Sequence, residues 1–122
     1  MAKILIVEDN PDNMKLFAAV LGVRGHAVVG LPGGEELLPT MRAERPDAVL
    51  LDIQLPGEDG YQLLAKLRAT LGAALPPVVA LTAHAMSGDR EKALGAGFTG
   101  YLTKPIDVAT FGTSVEAFLT RG

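Results

Sequence analysis

Five short apolar runs, each followed by a stretch with helical spacing, constrain this chain more than any other feature. Ile4-Leu5-Ile6-Val7, Ala48-Val49-Leu50-Leu51 and Val78-Val79-Ala80-Leu81 are uninterrupted, Val28-Val29-Gly30-Leu31 is weaker, and Gly100-Tyr101-Leu102-Thr103 is the last. Runs without polar alternation read as strands buried on both faces, as in a parallel sheet. Between them, Met14, Phe17, Ala18 and Leu21 recur at helical spacing behind Asn10 as cap and Pro11 at the first helical position, with Gly22 and Gly25 as stops. A second helix is predicted from Gly34 to Glu44, stopped by Pro46. A third carries Tyr61, Leu64, Leu67 and Leu71, a fourth lies near Ser87 to Ala96, and a fifth carries Val108, Phe111, Val115 and Phe118. Strict alternation predicts an α/β fold, a (βα)5 doubly wound five-stranded parallel sheet with right-handed crossovers and helices on both faces. Pro39 conflicts with the second helix, because a proline in a helix interior removes a hydrogen bond and costs about 3 kcal/mol. The expectation there is a kink or a later start.

At 122 residues the chain reads as one domain, 1–122, ending one turn past the last helix with no output domain. A net charge of −3 and a pI near 5.3 argue against a binder of nucleic-acid backbones. No apolar run reaches the roughly 18 residues of a membrane span, and the N-terminus carries no signal-peptide pattern, so a cytoplasmic address is expected. The absence of cysteine removes disulfides, thiolate metal sites and a Cys nucleophile.

In a doubly wound sheet, ligands bind beyond the carboxyl ends of the strands. Glu8 and Asp9 follow the first strand, Asp52 the third, Thr82 and Ala83 the fourth, and Lys104-Pro105 the fifth. Only Pro32-Gly33 follows the second. Three carboxylates on one edge repel one another and call for a cation or for protons. The donor set is all oxygen, which suits a hard divalent ion, and Mg²⁺ typically takes one or two carboxylates, waters and a phosphate oxygen. Lys104 is a point charge suited to an incoming phosphoryl group, and Thr82 supplies a hydroxyl donor. A carboxylate can itself be the nucleophile and form an aspartyl phosphate.

Ile4-Leu5-Ile6-Val7-Glu8-Asp9-Asn10, Leu50-Leu51-Asp52-Ile53-Gln54-Leu55-Pro56-Gly57-Glu58-Asp59-Gly60, Leu81-Thr82-Ala83 and Tyr101-Leu102-Thr103-Lys104-Pro105, in order over nearly the whole chain, resemble the receiver domain of two-component response regulators. Single-domain cell-cycle receivers of the DivK kind are especially similar, through Glu8-Asp9-Asn10 and Asp52-Ile53-Gln54-Leu55-Pro56. The resemblance implies a flavodoxin-like fold with strand order 2-1-3-4-5 and Asp52 as phosphoacceptor. It implies Mg²⁺, with Mn²⁺ as a substitute, held by Asp9, Asp52 and the backbone carbonyl of Gln54, with Glu8 acting mainly through water. Thr82, Ala83 and Lys104 would receive the phosphoryl group, Tyr101 would turn inward behind Thr82, and the Lys104–Pro105 bond would be cis. Gln54 and His84 would flank the group on the rim. Many members have Asp where this chain has Glu8. Implied partners are a histidine kinase or histidine phosphotransfer protein and a downstream protein target, the chain being a monomer or weak homodimer without turnover of an external substrate. Self-phosphorylation from small donors and self-dephosphorylation are expected.

Taken singly, these residues have blander readings. Asp52 serves as a helix N-cap, Glu8 and Asp9 as partners of a helix dipole, Thr82 as a strand end, Lys104, His26 and His84 as surface groups, and Tyr101 as a half-buried aromatic. Leu16, Val20 and Val23 lie beside the core stripe of the first helix, either as scattered surface residues or as a docking stripe for a four-helix phosphotransfer partner. A Mg²⁺-dependent phosphatase with an aspartyl nucleophile is the enzymatic alternative, but such enzymes want an acid where Gln54 stands. A docking-only receiver, a mononucleotide binder and a receiver module excised from a hybrid histidine kinase are further alternatives.

Overall fold

The computed structural model describes residues 2–83 and 88–119. The order is β1 (Lys3–Val7), α1 (Pro11–Val23), β2 (Ala27–Leu31), α2 (Leu37–Glu44), β3 (Ala48–Asp52), α3 (Gly60–Leu71), a short 3₁₀ turn (Gly72–Ala74), β4 (Val78–Thr82), α4 (Asp89–Ala96), β5 (Gly100–Thr103) and α5 (Val108–Leu119). The strands form one parallel sheet, β2-β1-β3-β4-β5, with Ile4 opposite both Val28 and Ala48, and Asp52 opposite Leu81.

The uninterrupted runs are the central strands. β3 and β4 are buried throughout and β1 along all but its first residue, whereas the edge strand β2 has no fully buried residue. Alternate side chains feed two cores. Leu5, Val7, Val49, Leu51 and Ala80 pack under α2, α3 and α4 through Leu37, Met41, Leu63, Leu64, Leu67 and Ala93. Ile4, Ile6, Leu50, Val79 and Leu81 face α1 and α5 through Phe17, Leu21, Phe111 and Val115. Phe17 and Phe111 stack across the two helices with centroids 5.3 Å apart.

The second helix starts at Leu37, not at Gly34. Pro39 thereby occupies the first turn, where its missing N–H would have had no helical partner. The fourth helix begins at Asp89, and the expected start near Ser87 lies outside the described residues. Val108, assigned by spacing to the core stripe of the fifth helix, is 56% exposed. His26 is not a surface residue: its side chain is only 7% exposed and sits between β1 and α5. Among the described residues, no helix is long and apolar enough to cross a membrane.

Candidate functional site

All five strands are parallel, so their carboxyl ends share one edge. Glu8 and Asp9 leave β1 there, Asp52 ends β3, Thr82 ends β4 and Lys104 follows β5. Each local sequence holds its residue in place. Asn10 caps α1, accepting from Asp12 N–H at 2.9 Å and Asn13 N–H at 3.0 Å, and its own N–H donates to Glu8 Oε2 at 3.1 Å. A capping box between Asp59 and Gln62 starts α3. The first residue of α3, Gly60, lies against the strand end, where a Cβ would come within 2.7 Å of Ile53 Cα and 2.9 Å of Asp52 O. Only glycine permits that approach, which keeps the loop after Asp52 close over the sheet.

Lys104 Nζ donates to Glu8 Oε1 at 2.8 Å and to Asp52 Oδ2 at 2.9 Å. Asp52 Oδ1 accepts the Gln54 N–H at 2.8 Å. The Ala83 N–H, one residue past β4, donates to the side-chain oxygen of Gln54 at 3.3 Å, so Gln54 bridges the two loops beside Asp52. Glu8, Asp52 and Thr82 are buried, while Asp9 is exposed. Burial pushes the Glu8 carboxyl above its ordinary range, against the opposing hydrogen bonds from Lys104 and Asn10. Burial also pulls on the Lys104 ammonium, but its bonds to Glu8 and Asp52 win and hold its pKa above the ordinary value. The Lys104–Pro105 peptide is cis.

Glu8, Asp9 and Asp52 each offer an oxygen, all within 4.8 Å of one another. Two buried carboxylates and one exposed one against a single ammonium leave an excess of negative charge in an all-oxygen donor set. That set fits a hard divalent cation. A cation there would offset the charge that opposes approach of a phosphoryl group to Asp52.

Three other expected residues lie away from this cluster. Tyr101 is half-buried on β5 beside α4, its hydroxyl pKa raised by burial and by Asp89 and Glu91. Leu16 is 40% exposed and Val20 is half-buried on α1. His84 lies outside the described residues. Spacing also missed the second wall beside Leu16 and Val20: Val108, Ala109 and Gly112 of α5 complete an apolar groove of about 430 Å³. The signal was a small-residue pair, Ala109 and Gly112, next to an apolar residue at the helix start.

The sequence matches the model of the response regulator receiver domain over residues 4–116. It is 38% identical over 116 residues to the polar-differentiation response regulator DivK of Brucella anthropi, covering 95% of this chain and 94% of that protein, and 37% identical to DivK of Brucella ovis. The structure superposes on the BeF₃-activated receiver domain of Klebsiella pneumoniae RstA with a TM-score of 0.87 at 35% identity, covering 96% of this chain and 97% of that one. The chemotaxis protein CheY4 of Vibrio cholerae shares the fold, with a TM-score of 0.87 at 24% identity over 97% of this chain and 98% of that one. With a parallel sheet in the order 2-1-3-4-5 and an acidic pocket of Glu8, Asp9 and Asp52, this chain belongs to the response regulator receiver domain family of two-component systems.

Proposed function

We propose that Asp52 accepts a phosphoryl group from a phosphohistidine of a histidine kinase or phosphotransfer protein, and that this chain is a signalling switch acting through protein contacts. The observation that carries the reading is the convergence on Lys104 Nζ of Glu8 and Asp52, 96 and 52 residues away in sequence. In the transfer, an Asp52 carboxylate oxygen forms the new bond to phosphorus as the bond from phosphorus to the imidazole nitrogen breaks. The electron pair of that bond leaves with the imidazole. Asp9, Asp52 and the Gln54 carbonyl would hold Mg²⁺, or Mn²⁺ in its place, with Glu8 acting through water. The ion supplies charge neutralisation on the phosphoryl oxygens. Lys104 stands 2.9 Å from the acceptor carboxylate, where its ammonium meets the new negative charge. Thr82 and the Ala83 N–H donate to the other oxygens, which requires Ala83 to release the Gln54 side chain.

Gln54 stands where an aspartyl-nucleophile phosphatase would carry its general acid, which disfavours turnover of an external substrate. Residues 1–122 are read as one receiver domain in the cytoplasm. Intact mass after treatment with acetyl phosphate and Mg²⁺ tests the acceptor: the wild type gains one phosphoryl group and Asp52→Asn gains none. Equal labelling of both proteins refutes Asp52 as acceptor.

Two surfaces complete the reading. The apolar groove between α1 and α5, with Leu16, Val20 and Val108 on its walls, suits the helix face of a phosphotransfer bundle. Changing Leu16 and Val20 to Glu should slow transfer from such a partner and spare labelling by acetyl phosphate; unchanged transfer removes the assignment. The downstream target is assigned to the face of α4, β5 and α5 that carries Tyr101. Target binding by Tyr101→Ala that stays fully phosphorylation-dependent counts against that face.

A further inference from the structure

We infer that Tyr61 is a positioning residue that couples the loop after Asp52 to α4, through its ring and the ammonium of Lys92. This deepens the proposed switch and rests on the reading that Asp52 takes a phosphoryl group. Tyr61 directly follows Gly60, and Gly60 is pinned to the strand end. Its N–H donates to Ile53 O at 2.9 Å, and a Cβ there would meet Ile53 Cα at 2.7 Å. The loop between Asp52 and α3 is thus closed on itself, so a shift at Ile53 is passed to the first turn of α3. Asp52 reaches the same loop through its side chain, Oδ1 accepting the Gln54 N–H at 2.8 Å. The Tyr61 ring carries the connection across to α4. Lys92 Nζ lies 4.9 Å from the ring centroid, and Phe98, just past the end of α4, meets the ring edge-on with centroids 5.7 Å apart. One ring therefore touches α4 along its length and again just beyond its end.

α4 depends on such holds. Of its 8 residues only Ala93 is buried, and Gly95 lowers its helical preference. α3 supplies a second hold, Arg68, whose Nη1 donates to Ala96 O at 2.8 Å. The two holds differ in what they transmit. Arg68 stands about two turns along α3 from Tyr61, away from the acceptor loop, and anchors the end of α4. Tyr61 stands beside the glycine that rests on the Asp52 strand end. Both of its contacts are made by the ring, so phenylalanine preserves them. Leucine fills much of the same apolar space but offers no ring face to an ammonium.

The test is hydrogen exchange of the α4 peptide, read by mass spectrometry before and after treatment with acetyl phosphate and Mg²⁺, with intact mass reporting the phosphoryl group on each variant. In the wild type, phosphorylation is expected to change α4 exchange by at least about fivefold. Tyr61→Leu and Lys92→Met should each speed α4 exchange in the untreated protein about threefold, the worth of one exposed cation–π contact, and the double variant should be no faster than either. Both single variants should still take up one phosphoryl group yet lose most of the α4 response, while Tyr61→Phe behaves as the wild type. Arg68→Met should also speed exchange in the untreated protein but keep the response. A Tyr61→Leu protein whose α4 responds as the wild type does overturns the inference. So does an Arg68→Met protein that loses the response as fully, because any loosening of α4 would then suffice. Should Tyr61→Leu not fold, Lys92→Met, a change at an exposed side chain, decides in its place. Failure of the wild type to take up a phosphoryl group refutes the proposed function. The untreated proteins then decide the inference, and equal α4 exchange in the wild type and Lys92→Met overturns it.

Discussion

Two clusters of charged and polar groups stand at opposite ends of this molecule, built from similar parts in opposite proportion. At the carboxyl edge of the sheet, two buried carboxylates, Glu8 and Asp52, share one ammonium. At the other end, one carboxylate, Glu116 of α5, is shared by two donors. Arg24 reaches it through Nε at 2.7 Å and Nη2 at 2.6 Å, and His26 Nε2 lies at 2.7 Å. The Ala2 N–H donates to His26 Nδ1 at 3.1 Å, so the ring hydrogen sits on Nε2 and points to Glu116. Gly112 leaves room for the Arg24 side chain, which a Cβ would meet at 2.2 Å. The consequences diverge. Burial pushes the Glu8 carboxyl up, whereas Arg24 and His26 hold the Glu116 carboxyl down at about 2. Excess anion under burial leaves charge to be met by a cation and a reacting group. Excess donors around one half-exposed anion leave nothing to react and clasp α5 to the α1 corner.

The largest expected effect comes from removing the shared cation. Lys104→Ala strands two buried carboxylates and should cost about 3 kcal/mol in urea unfolding. Asp52→Asn leaves Lys104 on Glu8 and should stay within about 1 kcal/mol of the wild type. Equal losses would break the contrast between stranding both carboxylates and neutralising one.

The pH dependence sharpens the contrast. The Glu116 pKa is depressed from 4.5 to about 2, so its contribution is complete above the unfolded value and fades as pH falls from 4.5 through 2. Glu116→Gln should therefore flatten the acid limb of the stability curve in that window. Glu8 has a raised pKa, so its ionised form is the penalised one and protonation relieves the folded state. Glu8→Gln should not flatten the same limb. Lys104 has a raised pKa, so its contribution is complete below 10.5 and disappears as pH climbs through the folded value. At neutral pH the smallest effect is that of Glu116→Gln, a loss that shrinks further in high salt because the pair is solvent-accessible.

The same comparison explains what the sequence makes legible. The edge residues Glu8, Asp9, Asp52, Thr82 and Lys104 each stand at the end of an apolar run, and a parallel sheet must bring such ends together. Strand identity and site placement thus follow from one pattern. The Arg24–Glu116 pair carries no such signal: it joins residues 92 apart, neither at a strand end, and His26 reads as an ordinary turn residue until α5 covers it. Helix boundaries were legible where a cap or a proline forces them, as at Asn10, and shifted at α2, where Pro39 fits only the first turn. Val108 matches the apolar spacing of α5 yet is exposed, lining the groove beside Leu16 and Val20 of α1 instead of joining Phe111 and Val115 in the core.

The central claim is that an excess of buried anion, met by a divalent cation, makes Asp52 an acceptor. Peptide-level mass spectrometry of the wild type after acetyl phosphate treatment tests it most directly, with Mg²⁺ in one sample and EDTA in the other. One phosphoryl group on the peptide containing Asp52 with Mg²⁺, and none in EDTA, is the predicted result. Labelling at another residue, or at Asp52 equally in EDTA, would contradict it.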